Sequence, residues 1–254
     1  MQILLPPSET KADPGSITDT AEPTGRTAPV DLAALSVRGL VTARRAVLSA
    51  LVRVSTHSDP GLNVLGLGPG QRDELARNVV LRHAPAHPAA EIYTGVLYAA
   101  LDVGTLPPDI SVRLHRSVLV FSGLWGVLRL GDRIPPYRCS IGITLPGVGG
   151  LAAHWRRALA RPMQAVVSDD LVLDLRSTGY ASMWAPTGAT IGRTATVRVL
   201  HERLVDGVPR RSVVSHFNKA TKGRIVRDLE AYCRGEGITD IRELVGALKP
   251  AASH

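Results

Sequence analysis

The sequence predicts an α/β fold of the α+β kind: a single compact domain with a mixed central sheet and surrounding helices. Short apolar runs of about the length of a buried strand recur at residues 2–5, 118–121 and 170–175. Segments with apolar residues at helical spacing lie between these runs. Each predicted strand then leads into a loop rich in glycine and polar residues, which favours a site assembled at one edge of the sheet.

Length and composition define the class of protein further. The chain has 254 residues, of which 44% are hydrophobic and 20% charged, as in ordinary globular proteins. No apolar run approaches the roughly 18 residues that a membrane helix needs, and residues 1–7 lack the basic region of a secretory signal. We therefore expect a soluble cytoplasmic protein without a membrane partner. One domain should span residues 1–254, with a mobile loop at 12–29 and a tail at 250–254.

The charge is strongly basic. Thirty Lys and Arg residues against 22 Asp and Glu residues give a net charge of +8. A basic surface favours polyanions such as nucleic acid, nucleotides or an anionic membrane, but net charge does not choose among them.

The first strand ends at Pro6 and Pro7, because proline cannot continue a hydrogen-bonded ladder. Ser8, Thr10 and Lys11 follow directly, and hydroxyls with a lysine are good ligands for phosphate or carboxylate. The alternative is the start of a solvated loop. Residues 30–54 then carry apolar residues at helical spacing and predict one helix, or two helices that break at Gly39.

The segment 65–69, Leu-Gly-Leu-Gly-Pro, has the pattern of a helix-hairpin-helix connection. In that arrangement the backbone amides at Gly66 and Gly68 and the start of the next helix (71–81) bind a DNA phosphate without reading the base sequence. Arg72 and Arg77 would add positive charge. The alternative is a glycine-rich connection between two core helices.

The central apolar run, 118–121, ends at Ser122 and Gly123 and is followed by charged residues and a stiff Pro-Pro pair. Tyr137 and Arg138 come directly after that pair. The segment predicts either the rim of a functional site or a structural turn.

Further elements follow in order. Helices are predicted at 96–101, 109–115, 151–160, 219–233 and 240–248, and strands at 194–201 and 211–217. The helix predicted from residue 219 would begin with Lys219 and Lys222, although a helix N-terminus prefers negative charge. A bound anion would relieve this conflict.

A single cleft at the strand ends is therefore predicted to bind a phosphate-bearing ligand, either a DNA backbone or a nucleotide. Its residues are Ser8, Thr10, Lys11, Tyr137, Arg138, Lys219 and Lys222. No phosphate-binding loop, dinucleotide fingerprint or nucleophile elbow occurs, and Cys139 and Cys233 are too far apart for metal-ligand spacing. We predict neither a cofactor nor a metal site.

Several motifs resemble the YaaA family of bacterial peroxide stress proteins. They lie at residues 4–11, 93–95, 122–129, 132–138, 174–180 and 215–223, in the order of that family and over nearly the whole chain. The resemblance implies a compact α/β domain with a basic cleft and a helix-hairpin-helix that binds double-stranded or structured DNA. It also implies a cytosolic role in limiting free iron and oxidative DNA damage.

Two functional hypotheses follow. The first is a non-enzymatic DNA-binding stress protein; the second is an enzyme or nucleotide-binding protein that uses the strand-end cleft. A broad basic groove would favour the first and a deep closed pocket the second.

Overall fold

A computed structural model of the chain describes residues 1–13, 28–205, 208–212, 215–232, 238 and 240–251. Most of the predicted mobile loop at 12–29 (residues 14–27) lies outside this part of the chain, as do residues 252–254 of the predicted tail. Residues 250 and 251 belong to the last helix, so the tail prediction was wrong at its first two residues.

Helices make up about half of the described chain. They are α1 (Val41–Ser55), α2 (Ser58–Leu65), α3 (Arg72–Val79), α4 (Ala89–Ile92), α5 (Val96–Leu101), α6 (Pro108–Ser117), α7 (Leu151–Val167), α8 (Thr178–Ala181), α9 (Ser215–Tyr232) and α10 (Ile241–Ala251). Short 3-10 turns at 69–71, 103–105 and 188–193 connect some of them.

The strands are short. They are β1 (Gln2–Leu5), β2 (His87–Pro88), β3 (Val118–Ser122), β4 (Gly126–Leu128), β5 (Arg133–Ile134), β6 (Thr144–Leu145), β7 (Gly149–Gly150), β8 (Val172–Asp174), β9 (Thr194–Thr196), β10 (His201–Val205) and β11 (Val208–Ser212).

A five-stranded sheet with the order β4-β3-β1-β8-β9 forms the centre of the fold. β1 is parallel to both β3 and β8, β9 is parallel to β8, and β4 is antiparallel to β3. The predicted mixed central sheet is thus confirmed. Its inner strands are mostly apolar and are buried along their whole length, as expected for parallel strands that are covered on both faces. Among the described residues, the buried apolar side chains form one cluster that extends from Ile3 to Leu244.

The strand predicted at 211–217 does not belong to this sheet. β11 covers only Val208–Ser212 and pairs with β10 in a separate antiparallel hairpin, and α9 already begins at Ser215. The prediction of a strand over 211–217 was therefore wrong at its end. Alternation of residue types predicts a strand but does not specify its partner.

Two helix boundaries also differ from the prediction. Residues 31–39 form turns, and α1 starts only at Val41, just after Gly39 with its positive φ of 82°. α7 continues past residue 160 to Val167 although it contains Pro162. The loss of one helical hydrogen bond at the proline is offset because this extension buries Met163 and Val167 in the core.

Candidate functional site

The carboxyl ends of β1, β3 and β8 lie at one edge of the sheet, since these three strands are parallel. After β1 the chain crosses to β3 on one side, and later to β8 on the other side of β1. This is a topological switch point, where loops diverge and leave a crevice outside the strand ends. The crevice between β1 and β8 is the candidate site.

The loop after β1 forms one wall of the crevice. Ser8 is buried, and its Oγ lies 3.1 Å from Oγ1 of Thr10. Gly95 packs against this pair so closely that a Cβ there would lie 2.2 Å from the Ser8 Oγ. The Tyr98 hydroxyl donates a hydrogen bond of 2.8 Å to the Pro6 carbonyl. Gly95 is therefore needed to bring α5 against the hydroxyl pair.

A cavity of about 190 Å³ opens in this wall. It is lined by residues 6–10 after β1, residues 95–98 at the start of α5, and Lys219 on α9. Its size suits a small ligand or one phosphate group better than a nucleotide in full.

Lys11 directly follows the residues that line this cavity, and it is partly buried. Nζ donates hydrogen bonds to the carbonyl oxygens of Ser8, at 2.8 Å, and Glu9, at 3.4 Å. The ring of Tyr137 lies 4.2 Å from Nζ and faces it in a cation–π contact. Burial lowers the pKa of Lys11 to about 8 although the Glu9 carboxylate raises it, and Arg138 adds to the lowering.

Tyr137 belongs to a buried hydroxyl network. Its hydroxyl lies 2.6 Å from the Ser122 Oγ and 3.0 Å from the Tyr93 hydroxyl. The Ser122 Oγ accepts hydrogen bonds from the amides of Leu124 and Trp125, which fixes it at the end of β3. Burial raises the pKa of both tyrosines well above the ordinary value, so both hydroxyls keep their protons at neutral pH.

Arg138 closes the crevice on the side of α3. Its Nη1 forms an ion pair of 2.8 Å with the Glu9 carboxylate. Its backbone amide and carbonyl are both held by the side chain of Asn78, which is fully buried on α3. Arg138 lies near Lys11, but its charge is already paired with Glu9 within the protein.

The two lysines of α9 differ in their roles. α9 begins at Ser215, so the prediction that Lys219 and Lys222 crowd a helix start was wrong; they lie in its second and third turns. Lys219 is exposed at the cavity. Lys222 is half-buried, and its Nζ donates to the carbonyl oxygens of Leu175, at 2.7 Å, and Arg176, at 3.3 Å. Because Lys222 caps the end of β8, its removal should destabilise the fold, contrary to the expectation from a crowded helix start.

Sequence reasoning did not identify a buried ion pair directly after β8. The Arg176 guanidinium binds the Asp174 carboxylate through Nη2, at 2.6 Å, and Nε, at 2.9 Å. It also lies 4.2 Å from the centre of the Phe121 ring. In the sequence, the signal for this pair is its spacing. Asp174 and Arg176 are two residues apart at the end of β8, and alternate residues of a strand face the same side. The pair joins the ends of β3 and β8 below the crevice.

The predicted helix-hairpin-helix residues lie between α2 and α3, and their donors have partners within the protein. Gly66 takes the left-handed conformation at the end of α2, and its amide donates to the Asn63 carbonyl. The Gly68 amide donates to Oε1 of Gln71 at 3.1 Å. Arg72 pairs with Asp59 at 2.8 Å, and Arg77 with Glu74 at 3.1 Å. DNA contact by this segment stays a prediction.

A second basic surface, which the sequence analysis did not single out, lies on α1 and α7. Neither residues 32–58 nor residues 133–168 contain an Asp or Glu, and the structure describes both ranges. The two helices are in contact, and Pro162 of α7 lies near Gly39 in the turn before α1. The exposed arginines here are Arg38, Arg45, Arg53, Arg156, Arg157 and Arg161. We call this set the arginine surface.

Cys139 lies at the bottom of the candidate site and is 4% exposed. Burial raises the pKa of its thiol to about 12, against a smaller opposite effect of Lys11. A thiol that stays protonated is a poor nucleophile toward peroxide.

We therefore expect Cys139→Ser to retain peroxide protection in cells. We also expect labelling of the native protein by iodoacetamide at pH 7 to leave Cys139 unmodified. Loss of protection by the serine variant would contradict this.

Among the described residues, no group of three or more His, Cys, Asp and Glu side chains is placed to hold a metal ion. No helix among these residues is both long and apolar enough to cross a membrane.

Fold and site together define an α/β protein with a partly basic crevice at the switch point of its parallel strands. A family model described as peroxide stress protein YaaA matches residues 1–246. The chain therefore belongs to the YaaA family of peroxide stress proteins, as the motif resemblance predicted.

Curated relatives agree with this assignment. A UPF0246 protein of Streptomyces coelicolor is 51% identical over 250 residues, which covers 98% of this chain and 89% of the relative. A UPF0246 protein of Corynebacterium efficiens is 40% identical over 255 residues, covering 97% and 93% of the two chains. A UPF0246 protein of Corynebacterium glutamicum is 37% identical over 233 residues, covering 90% and 84%.

Proposed function

We propose that this member of the peroxide stress family binds the phosphate backbone of double-stranded or structured DNA, and that it thereby limits oxidative DNA damage. The observation that supports this most is the arginine surface of α1 and α7. Its guanidinium groups are exposed, and no carboxylate occurs in either segment to compete for them. Arginine forms bidentate contacts with phosphate, so such a surface suits a nucleic-acid backbone.

Arg157 and Arg161 are the strongest candidates for phosphate contacts. They stand four residues apart on α7 and therefore project from the same side of the helix. Neither has a carboxylate partner among the residues that the structure describes. By contrast, a phosphate at Gly68 or Arg72 would have to displace Gln71 or Asp59. We retain Gly66, Gly68, Arg72 and Arg77 as a proposed secondary contact.

Binding should be independent of base sequence and strongly dependent on salt. The plot of log K against log salt concentration has a negative slope. For Arg157→Gln with Arg161→Gln, we expect this slope to become less negative by about 1.8, because two phosphate contacts are lost. Fluorescence anisotropy with a duplex and with a branched DNA, at four salt concentrations, measures this slope. No binding of the native protein at low salt would refute the proposed function.

Two further variants locate the contact. Arg193→Gln removes one positive charge near the opposite edge of the sheet, where Arg193 already pairs with Asp169, and should leave the slope unchanged. Arg72→Gln tests the α2–α3 connection in the same way. If Arg72→Gln makes the slope less negative and the Arg157 and Arg161 substitutions do not, DNA binds at the α2–α3 connection and not at the arginine surface.

We also propose that the protein helps to limit free intracellular iron, as the family resemblance implies. The test is whole-cell electron paramagnetic resonance of chelatable iron in a deletion strain. The strain is complemented with the native gene or with the Arg157 and Arg161 double variant. Equal restoration by both genes would show that iron limitation does not depend on the arginine surface.

A second candidate function is the binding of a small phosphate-bearing ligand, such as a nucleotide phosphate group, in the crevice. The 190 Å³ cavity with Ser8, Thr10 and Lys219 in its wall supports it. Calorimetric titration with nucleotides, comparing the native protein with Lys219→Ala, tests this directly. Equal affinity of the two proteins would contradict it.

A further inference from the structure

We propose that Lys11 is a reactive amine, which forms an imine with a small aldehyde or ketone that carries a carboxylate or phosphate and sits in the adjacent cavity. This activity would belong to the crevice of the second candidate function, and it does not require that the protein binds DNA.

The distribution of lysine over the chain supports a special role for this residue type. Only four of the 30 basic residues are lysine, at positions 11, 219, 222 and 249, and the rest are arginine. Three of the four lie at the carboxyl edge of the central sheet, at the cavity or beside it. Where only positive charge is needed, this chain uses arginine. Lysine differs because its amine can lose its proton and act as a nucleophile, which arginine cannot do.

The hydrogen bonds of Lys11 remain possible when the amine is neutral, although its contact with the Tyr137 ring favours the charged form. Its two hydrogen bonds go to the carbonyl oxygens of Ser8 and Glu9, and a neutral amine still has two N–H donors for them. Its lone pair is then left for an electrophile. Two carboxylates act on the amine, those of Glu9 and Glu74. Glu9 is held by Arg138 at 2.8 Å and Glu74 by Arg77 at 3.1 Å, so within the described part of the chain neither is bonded to the amine to keep it protonated. Burial agrees with this, since it lowers the pKa of Lys11 to about 8.

Imine formation also needs a proton donor for the departing oxygen. Tyr137 faces the amine, and its hydroxyl is oriented by Ser122 and Tyr93. Because burial raises the pKa of this hydroxyl, it acts as a relay, which accepts one proton as it gives up another, and not as an independent acid.

The cavity provides a place for the anionic end of the substrate. Ser8 and Glu9, whose carbonyls hold the amine, both line it. Thr10 and the exposed Lys219 line it as well. A hydroxyl pair and a cation on one side, with the amine behind the same wall, fit a compound with a carbonyl and an anionic group a few bonds apart.

The reaction balances without a further reactant. The Lys11 nitrogen attacks the carbonyl carbon, and the carbon–oxygen π electrons move to oxygen, which gives a carbinolamine. The carbon–oxygen bond then breaks as water leaves and the C=N bond forms. Both amine hydrogens end on that water, passed through the Tyr137 hydroxyl, which ends as it began.

Reductive trapping tests the proposal on the native protein. The protein is incubated with cyanoborohydride and one of three probes: pyruvate, glycolaldehyde phosphate, or the neutral glycolaldehyde. Peptide mass spectrometry then locates the label. We expect Lys11 to be labelled at least about tenfold more than each other lysine. We also expect its labelling to rise about tenfold from pH 7 to pH 9 and then level off, as for a group with a pKa near 8.

Variants separate the roles. Lys11→Arg keeps the charge and should abolish labelling, whereas Lys249→Arg on α10 should not affect it. Tyr137→Phe should slow labelling without moving its site. Lys219→Ala should weaken labelling by whichever anionic probe the cavity binds, pyruvate or glycolaldehyde phosphate, and leave glycolaldehyde unaffected. Equal labelling of all four lysines, or none at Lys11 in the native protein, would overturn the proposal.

Discussion

Replacing Gly223 by alanine should lower the free energy of unfolding by about 3 kcal/mol, as expected for an overpacked helix contact. Gly223 lies where α9 crosses α5 at close range. A Cβ at this position would lie 2.2 Å from the carbonyl oxygen of Leu97 and 2.9 Å from the Cβ of Ala100. Both atoms belong to α5 or its backbone, so no side-chain rotation can relieve the clash and the helices must separate.

Gly246 provides the matched control. It also lies in a helix, α10, but a Cβ there would meet no atom within 4 Å. Gly246→Ala should therefore raise stability by roughly 0.5–1 kcal/mol, because alanine loses less backbone freedom on folding. Urea denaturation of both variants measures the two changes. Equal effects of the same sign would show that α5 and α9 are not in close contact.

The Gly223 substitution should also affect the candidate site. The start of α5 and Lys219 of α9 line the same cavity. If the helices separate, the cavity widens, and trapping of a carbonyl probe at Lys11 should slow even in molecules that remain folded. Gly246→Ala should leave the trapping rate unchanged.

Local sequence patterns predicted the inner strands and most helices because those elements are nearly independent of their partners. Three consecutive apolar residues before Pro6, Ile3 to Leu5, specify a buried strand wherever it lies in the sheet. The rule that parallel strands end at the same edge accounts for the proximity of the loops after β1, β3 and β8. It does not account for Arg138, which follows β5, or for Lys219, which follows the separate β10–β11 hairpin and lies beside residues 6–10 through the packing of α9.

The remaining features depend on contacts that no local pattern encodes. The strand at 208–212 has an ordinary pattern, yet its partner is β10 and not the central sheet. The pairing of Arg138 with Glu9, and the position of Asn78 on the backbone of residue 138, need the tertiary fold. The same holds for the arginine surface, because its two segments lie about 100 residues apart in the sequence and adjoin only where α1 packs on α7.

Replacing Arg44 by methionine should have the largest effect on stability, a loss of about 3–5 kcal/mol, as when one partner of a buried charged contact is removed. Arg44 on α1 is fully buried, and burial lowers its pKa to about 10. Its Nε donates to the Trp125 carbonyl at 3.0 Å, and its Nη2 to the Val127 carbonyl at 2.9 Å. Both acceptors lie in or next to β4, the edge strand of the central sheet.

The cost arises at that edge. β4 pairs with β3 on one side only, so carbonyls on its other side need a donor from elsewhere, and Arg44 provides it. Methionine fills similar space but would leave both carbonyls buried without a donor.

Arg44→Lys should lose less stability than Arg44→Met, since lysine keeps one donor but cannot reach both oxygens. Arg45→Met is the matched control because Arg45 is its exposed neighbour on α1; it should change stability by less than about 0.5 kcal/mol. Denaturation midpoints in the order Arg45→Met, Arg44→Lys, Arg44→Met, from highest to lowest, are expected. If Arg44→Met unfolded at the same midpoint as Arg45→Met, β4 would not depend on the guanidinium for its edge.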